Sequence, residues 1–269
     1  MKNLIKIYID YRMLIKTLVS RELKARYRGS ILGFFWSFLN PLLLLVVYTV
    51  VFGFILRPRD PAFAGNPFNY ALFLFSGLLP WIWFSACVLE ATTIILINGN
   101  VLKKVMFPAE VLPIVSVTAN FVHFLFGIPI LLLFEIALGH PLTYYVFLSI
   151  VVMLIQYIFS LSLSFFLSAL SANFRDLQHL MANIVTLWFF STPIIYPMTF
   201  GVINQHKWLK TILYLNPMTH IIEGYQRAFY YGQMIPWKRL GVTLFLSIIL
   251  LWLGYWIFDR LRDTFVEEA

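Results

Sequence analysis

Arg21-Glu22-Leu23-Lys24-Ala25-Arg26-Tyr27-Arg28-Gly29-Ser30 leads straight into Ile31-Leu32-Gly33-Phe34-Phe35-Trp36 and an apolar run to Phe54 that is broken only by Asn40-Pro41. The order is cation cluster, break, long apolar stretch. A hydrocarbon core about 30 Å thick takes roughly 20 residues of helix to cross. The run therefore reads as a membrane span whose basic flank stays on the inner side. Gly29 offers a turn before it and Ser30 an N-cap. Upstream, Leu4, Ile7, Tyr8, Tyr11, Leu14, Ile15 and Leu18 recur at helical spacing, with Lys6, Asp10 and Lys16 on the other side. That pattern predicts an amphipathic helix lying in the membrane interface. The competing reading is a helix packed on other cytosolic protein.

Composition agrees. Of 269 residues, 61% are hydrophobic, 18% aromatic and only 12% charged, against roughly 45–50% apolar and 25% charged in soluble domains. An all-α integral membrane protein is expected. Its net charge of +8 would suggest nucleic acid in a soluble chain. Here eight cations (Lys2, Lys6, Arg12, Lys16, Arg21, Lys24, Arg26, Arg28) precede the first span and read as topology and lipid contact, with no nucleic acid. The single cysteine, Cys87, excludes an intrachain disulfide. Residues 1–28 alternate cations with apolar residues, so a retained N-terminus is expected rather than a cleaved signal.

Six spans are predicted, at 31–56, 70–97, 111–138, 144–171, 178–199 and 240–258, in a single transmembrane domain over 1–269, with 1–28 as the interfacial helix. The last span is the shortest. Polar or proline-broken segments separate them: Arg57 to Pro67, an insert at 98–110, Gly139-His140-Pro141, and Asn173 to Asp176. Most of the cations fall on the N-terminus, the insert, the 173–177 loop and the C-terminal tail, which predicts both termini cytoplasmic. Residues 200–239 are too rich in Tyr, Ile, Leu and Trp for a loose loop. Trp208–Leu215 and Thr219–Tyr231, divided by Asn216-Pro217, read as two short helices that re-enter the membrane or cap it from outside.

Several chemistries find no motif. No GxxxxGK[ST], HExxH, CxxC or GxSxG is present, so neither a phosphate cradle, a metal pair nor a nucleophile elbow is expected, and no cofactor is assigned to the chain. Ionisable residues within spans are few: Glu90, His123 and Glu135. The two carboxylates read as reaching headgroups or interhelical partners near span ends, and His123 as a packing residue rather than a proton relay. Ser160, Ser164, Ser168 and Ala172 form a small-residue stripe suited to close helix packing, within the chain or against a second copy. Trp81, Trp83, Trp237 and Trp252 read as interface-belt residues. Phe35, Trp36, Tyr48 and Phe52 could instead wall a route for a carbohydrate, because rings stack on sugar faces; plain packing is the other reading.

Arg26-Tyr27-Arg28-Gly29-Ser30-Ile31-Leu32-Gly33, then Phe35-Trp36-Ser37-Phe38-Leu39-Asn40-Pro41-Leu42 and Tyr48-Thr49-Val50-Val51-Phe52-Gly53, resembles the first-span signature of bacterial ABC exporter permeases of the second type. The likeness is greatest to the polysaccharide branch, which exports O-antigen, capsule or teichoic acid. Ser76-Gly77-Leu78-Leu79-Pro80-Trp81, Lys103-Lys104-Val105-Met106-Phe107-Pro108, Arg175-Asp176, Pro193-Ile194-Ile195-Tyr196-Pro197 and Asn216-Pro217-Met218-Thr219 extend it in order along nearly the whole chain.

The resemblance implies a permease subunit of the bacterial inner membrane, non-catalytic, paired with a second copy and with two copies of an ATPase that holds ATP and Mg. The cargo would be a lipid-linked polysaccharide. Asn100, Val101, Lys103, Lys104, Val105, Met106 and Phe107 would form a coupling helix seated on the ATPase, or else an ordinary inside loop. Arg21, Lys24, Arg26 and Arg28 would attract a lipid-linked pyrophosphate beside the interfacial helix, or serve topology alone. The 200–231 hairpin would be the outer gate. A drug exporter of the same fold is the alternative within the class, and a membrane-embedded enzyme of lipid or glycan metabolism is the alternative outside it.

Overall fold

The computed structural model describes residues 2–26, 28–55, 63, 66–104, 108–140, 142–174, 176–199 and 201–262, and among these there is no strand. The same residues form twelve α-helices in succession: α1 (Lys2–Asp10), α2 (Arg12–Ala25), α3 (Trp36–Tyr48), α4 (Pro67–Ala91), α5 (Ile94–Lys104), α6 (Val111–Ala137), α7 (Tyr145–Asn173), α8 (Leu177–Phe190), α9 (Gly201–Gln205), α10 (Lys207–Leu215), α11 (Pro217–Phe229) and α12 (Trp237–Leu261). Four of them, α4, α6, α7 and α12, are long and apolar enough to cross a membrane.

The first apolar run is not one regular helix. A 3-10 turn at Gly33–Phe35 leads into α3, and a π-helical stretch at Thr49–Ile55 follows it. α3 carries Pro41, which removes one backbone donor, and Thr49 returns its hydroxyl to the Leu45 carbonyl at 2.6 Å. Such departures from α geometry are typical around proline and within π-bulges.

Three expected boundaries move. The stretch 70–97 ends as a helix at Ala91, because Thr92 and Thr93 turn their hydroxyls back onto the Leu89 and Glu90 carbonyls; the chain then restarts as α5. The stretch 178–199 is helical only to Phe190. With 14 residues, α8 is about 21 Å long, and Pro193 and Pro197 prevent its continuation. The last helix, expected to be the shortest, has 25 residues.

α4 is the hub: Tyr70 to Trp81 are buried without interruption. Trp81 and Trp83 lie in the middle of this helix and are buried, against the expected interface belt; Trp83 packs between Phe121 and Phe124 of α6, at 5.0 Å from each. Trp237 and Trp252 do stand exposed. The serine stripe of α7 faces α4 of the same chain, with Ser168 Oγ donating to the Ala91 carbonyl at 3.1 Å. On another side of α7, Gly254 lets α12 approach so closely that a Cβ would lie 2.8 Å from the Ser162 carbonyl oxygen. Small residues set helix separation here, as they do where no hydrophobic force drives helices together.

The N-terminal amphipathic segment is two helices with a break at Tyr11. Its apolar side, including Leu4, Ile15 and Val19, is buried against the protein's own core, chiefly α6. Tyr8 Oη meets Tyr157 Oη of α7 at 2.7 Å, and Tyr157 Oη meets Thr118 Oγ1 of α6 at the same distance. Burial pushes the Tyr8 phenol above its ordinary pKa, so it stays protonated in this chain of hydroxyls.

Candidate functional site

The residues expected to act at the basic flank separate into two groups. Arg21, Lys24 and Arg28 are exposed. Arg26 turns inward: Nη2 donates to Glu90 Oε1 at 2.7 Å and Nη1 to Asn120 Oδ1 at 3.0 Å, while Nε lies 3.8 Å from Glu22. Glu90 Oε2 in turn accepts from Ser116 Oγ at 2.6 Å and Asn120 Nδ2 at 2.7 Å. This network joins the end of α2 to α4 and α6, and both Glu90 oxygens are satisfied in it although the side chain is 37% exposed. Its partner was not legible in advance. Ser116 and Asn120, four apart on one helix face, were the available signal.

Along α2 runs a groove of about 650 Å³ with Ile15, Val19 and Leu23 on its floor and Arg12, Lys16 and Lys24 on its rim. An apolar floor under cations suits an anionic amphiphile. A second cleft, about 450 Å³, opens between α2, α5 and α6 beside Arg21, Glu22, Glu90 and Asn98.

Within the insert, Asn100, Val101, Lys103 and Lys104 belong to the helical backbone of α5, so the segment expected to be a coupling helix is helical up to Lys104. Their side chains lie outside the described residues, as do Val105, Met106 and Phe107 altogether. Arg175 of the neighbouring loop is likewise outside them.

The four aromatics proposed for a carbohydrate route are strung out rather than gathered. From Phe35 to Phe52 the rise is about 25 Å. Phe35 is 58% exposed and lines a groove with Phe38, Leu42 and Phe134. Trp36 donates through Nε1 to Ser30 Oγ at 2.8 Å, and Tyr48 is half-buried. The side chain of Phe52 lies outside the described residues. On the other side of α3 a cleft of about 500 Å³ reaches α4 and α6, walled by Pro41, Leu44, Phe75 and Leu79 and bordered by Arg26 and Asn120.

The segment after α8 forms a second constellation. α10 and α11 are the two short helices expected, parted at Asn216-Pro217. Asn216 is the N-cap of α11, its Oδ1 accepting from Met218 N at 3.0 Å and from Trp188 Nε1 at 2.8 Å. Its amide donates to the Ser191 carbonyl and to Thr192 Oγ1. Trp188 packs on Phe84 of α4 and on Phe159, near the middle of α7. The hairpin tip is therefore sunk to the middle of the bundle. From there α11 climbs back between α4, α7 and α12 with all but Pro217 and Arg227 buried. Gly77 and Gly224 leave room for it: a Cβ on either would come within 3.1 Å of a side chain across the interface.

In the middle of α11, Glu223 is 7% exposed and bonds two guanidiniums, Arg227 at 2.7 Å and Arg239 of α12 at 2.7 Å. The Arg239 guanidinium also lies 3.8 Å from the Tyr214 ring centroid of α10, and His220 meets Thr243 Oγ1 at 2.8 Å. Glu223 thus joins α11 to α12, and Arg239 carries the connection on to α10. Elsewhere, Glu135 is 2% exposed and its Oε2 has no hydrogen-bond partner among the described residues, so that oxygen meets neither the headgroups nor the interhelical partner expected of it.

No group of three His, Cys, Asp or Glu among the described residues is arranged to hold a metal ion.

The sequence profile of the family described as "ABC-2 type transporter" matches residues 13–230. The chain is 41% identical to the O-antigen export system permease protein RfbA of Myxococcus xanthus over 268 residues, covering 100% of both chains. It is 31% identical to the protein of the same name from Klebsiella pneumoniae, with 94% of each covered. It is 20% identical to the polysialic acid transport protein KpsM of Escherichia coli, with 96% of each covered. The chain belongs to the membrane-subunit family of ABC-2 type transporters.

Proposed function

We propose that this protein is the permease subunit of an ATP-driven exporter that moves a lipid-linked polysaccharide of O-antigen type across the bacterial inner membrane. The 41% identity to an O-antigen export permease, over the whole of both chains, carries the reading. Six crossings fit the helices: α4, α6, α7 and α12 are long enough alone, the continuous helical run 33–55 supplies a first, and α8 with residues 191–197 a fifth. Irregular backbone survives at membrane depth only against protein or water. The 191–197 segment meets that condition, since its Pro193 and Ile195 carbonyls accept from Gln226 and Tyr70. The single domain has both termini cytoplasmic.

Two copies of the chain stand with two copies of a separate ATPase that holds ATP and Mg; this chain binds no cofactor. α5, with Asn100, Val101, Lys103 and Lys104 and the following Val105, Met106 and Phe107, seats on the ATPase. Arg21, Lys24 and Arg28 meet the lipid pyrophosphate from the exposed side of α2, with Arg26 orienting α2 through Glu90. Phe35, Trp36, Tyr48 and Phe52 line the route beside the first span. The α10–α11 hairpin closes it from outside.

The test is deletion and complementation. Loss of the chain should abolish surface display of polymer while lipid-linked polymer accumulates inside, and display should return with the chain plus an ATPase competent for hydrolysis. Normal display after deletion would end the reading.

A further inference from the structure

α5 is bracketed by two carboxylates. Glu90 stands one residue before the end of α4, and Glu110 stands immediately before α6, so one precedes α5 and the other follows it. Each reaches a different end of the chain. Glu90 pairs with Arg26 just beyond α2 at 2.7 Å; Glu110 pairs with Arg262 just beyond α12 at 3.2 Å. Three segments distant in sequence are thus joined at the two flanks of one short helix.

The joints differ in kind. Glu90 is saturated by Arg26, Ser116 and Asn120. Glu110 is 2% exposed, yet its Oε2 has no partner among the described residues, and the Arg262 side chain that serves Oε1 is half exposed. Burying a carboxylate with incomplete bonding costs free energy, and an apolar residue there would be at least as stable. The start of α6 favours a carboxylate at this place, but it does not call for a guanidinium from α12; the pairing with Arg262 connects the two helices. α5 also has room to swing, because the cleft of about 450 Å³ separates Ile94, Ile97 and Asn98 from α2. Ile95 anchors its first turn in the core while Ile97 is exposed.

We infer that the two ion pairs are the linkages through which displacement of α5 reaches the rest of the subunit: Glu90–Arg26 to the N-terminal helices and first span, Glu110–Arg262 to α12. The four residues are positioning residues, touching neither cargo nor nucleotide. The inference rests on α5 being the element that follows the ATPase.

The experiment uses the full permease–ATPase complex with single spin labels at Ile97→Cys on α5, Ser20→Cys on α2 and Arg260→Cys on α12. Distances between equivalent labels in the two copies are measured with and without ATP. Cys87 is buried and does not compete for label. All three distances should change with ATP in the parent. Glu110→Gln should remove the change at residue 260 and keep that at residue 20; Glu90→Gln should do the reverse. Each variant should still hydrolyse ATP while export falls about fivefold or more, the lower range of coupling between sites. Restoring charge with Glu110→Arg and Arg262→Glu together should recover the change at residue 260, and serves also if Glu110→Gln alone fails to assemble.

If residue 97 moves while residues 20 and 260 stay still, or if either Gln variant leaves both responses intact or removes both together, the linkage is overturned. If residue 97 itself is unmoved by ATP, the assignment of α5 to the ATPase fails first, and the linkage falls with it.

Discussion

Gly254 of α12 sits where any Cβ would come within 2.8 Å of the Ser162 carbonyl oxygen and 3.2 Å of the Phe166 nitrogen on α7. Both obstacles are backbone, so Gly254→Ala must push two long helices apart. A loss of about 1–3 kcal/mol is expected, the range for overpacking, read as a lower melting temperature of the purified protein. Gly241 on the same helix faces open space, with nothing within 4 Å of where a Cβ would stand. Gly241→Ala should leave stability unchanged or slightly raised; equal losses at both sites would refute the close approach.

Asn216 holds the hairpin tip. Asn216→Ala removes the cap of α11, worth about 1 kcal/mol, and strands the part-buried Trp188 N–H, worth about 1 kcal/mol more. Amide exchange over residues 218–222 should accelerate markedly. Trp188→Phe keeps the ring contacts and leaves Asn216 its bond to Met218 N, so it should accelerate exchange less. The opposite order would mean that the tip is held by packing alone.

Glu223 neutralises two guanidiniums, and its removal is expected to cost more than removal of either. Glu223→Gln leaves Arg227 and Arg239 facing each other; because both side chains are about a third exposed, the loss should be about 1–2 kcal/mol rather than that of a fully buried pair. Arg239→Gln leaves Glu223 paired with Arg227 and should cost less. Melting temperatures of the three proteins decide the matter, and an equal effect of the two variants would contradict it.

Tyr8 and Tyr157 share a hydrogen bond at 2.7 Å that pins α1 to α7. Tyr8→Phe should cost about 1 kcal/mol and should loosen residues 2–10 to proteolysis and amide exchange while the core of α4 keeps its protection. Unchanged protection of α1 would show that apolar contact through Leu4 suffices.

The membrane class, the order of the elements and the family were legible in the chain, because apolar length and the succession of local motifs are properties of contiguous sequence. The stretch 178–199 shows the limit. Its hydropathy suggests a full span, yet helix propagation stops at Phe190, and what lies beyond is held by Gln226 and Tyr70 from elsewhere in the chain. Arg26 shows it as well. As one of four cations in a row it could not be told from Arg21, Lys24 or Arg28 until Glu90 and Asn120 were brought beside it.

Sequence alone, then, determined that this polypeptide lives in a membrane and which transporter family it belongs to. Hydrophobicity and charge act residue by residue, and no folding is needed to count them. Tertiary structure decided which charges pair, how deep the Asn216 tip is sunk and what the serine stripe faces. Those outcomes depend on groups more than twenty residues apart meeting at hydrogen-bond distance, as Glu90 meets Arg26 and Asn120, and a polar group taken from water gains from the meeting only where its partner stands in bonding geometry.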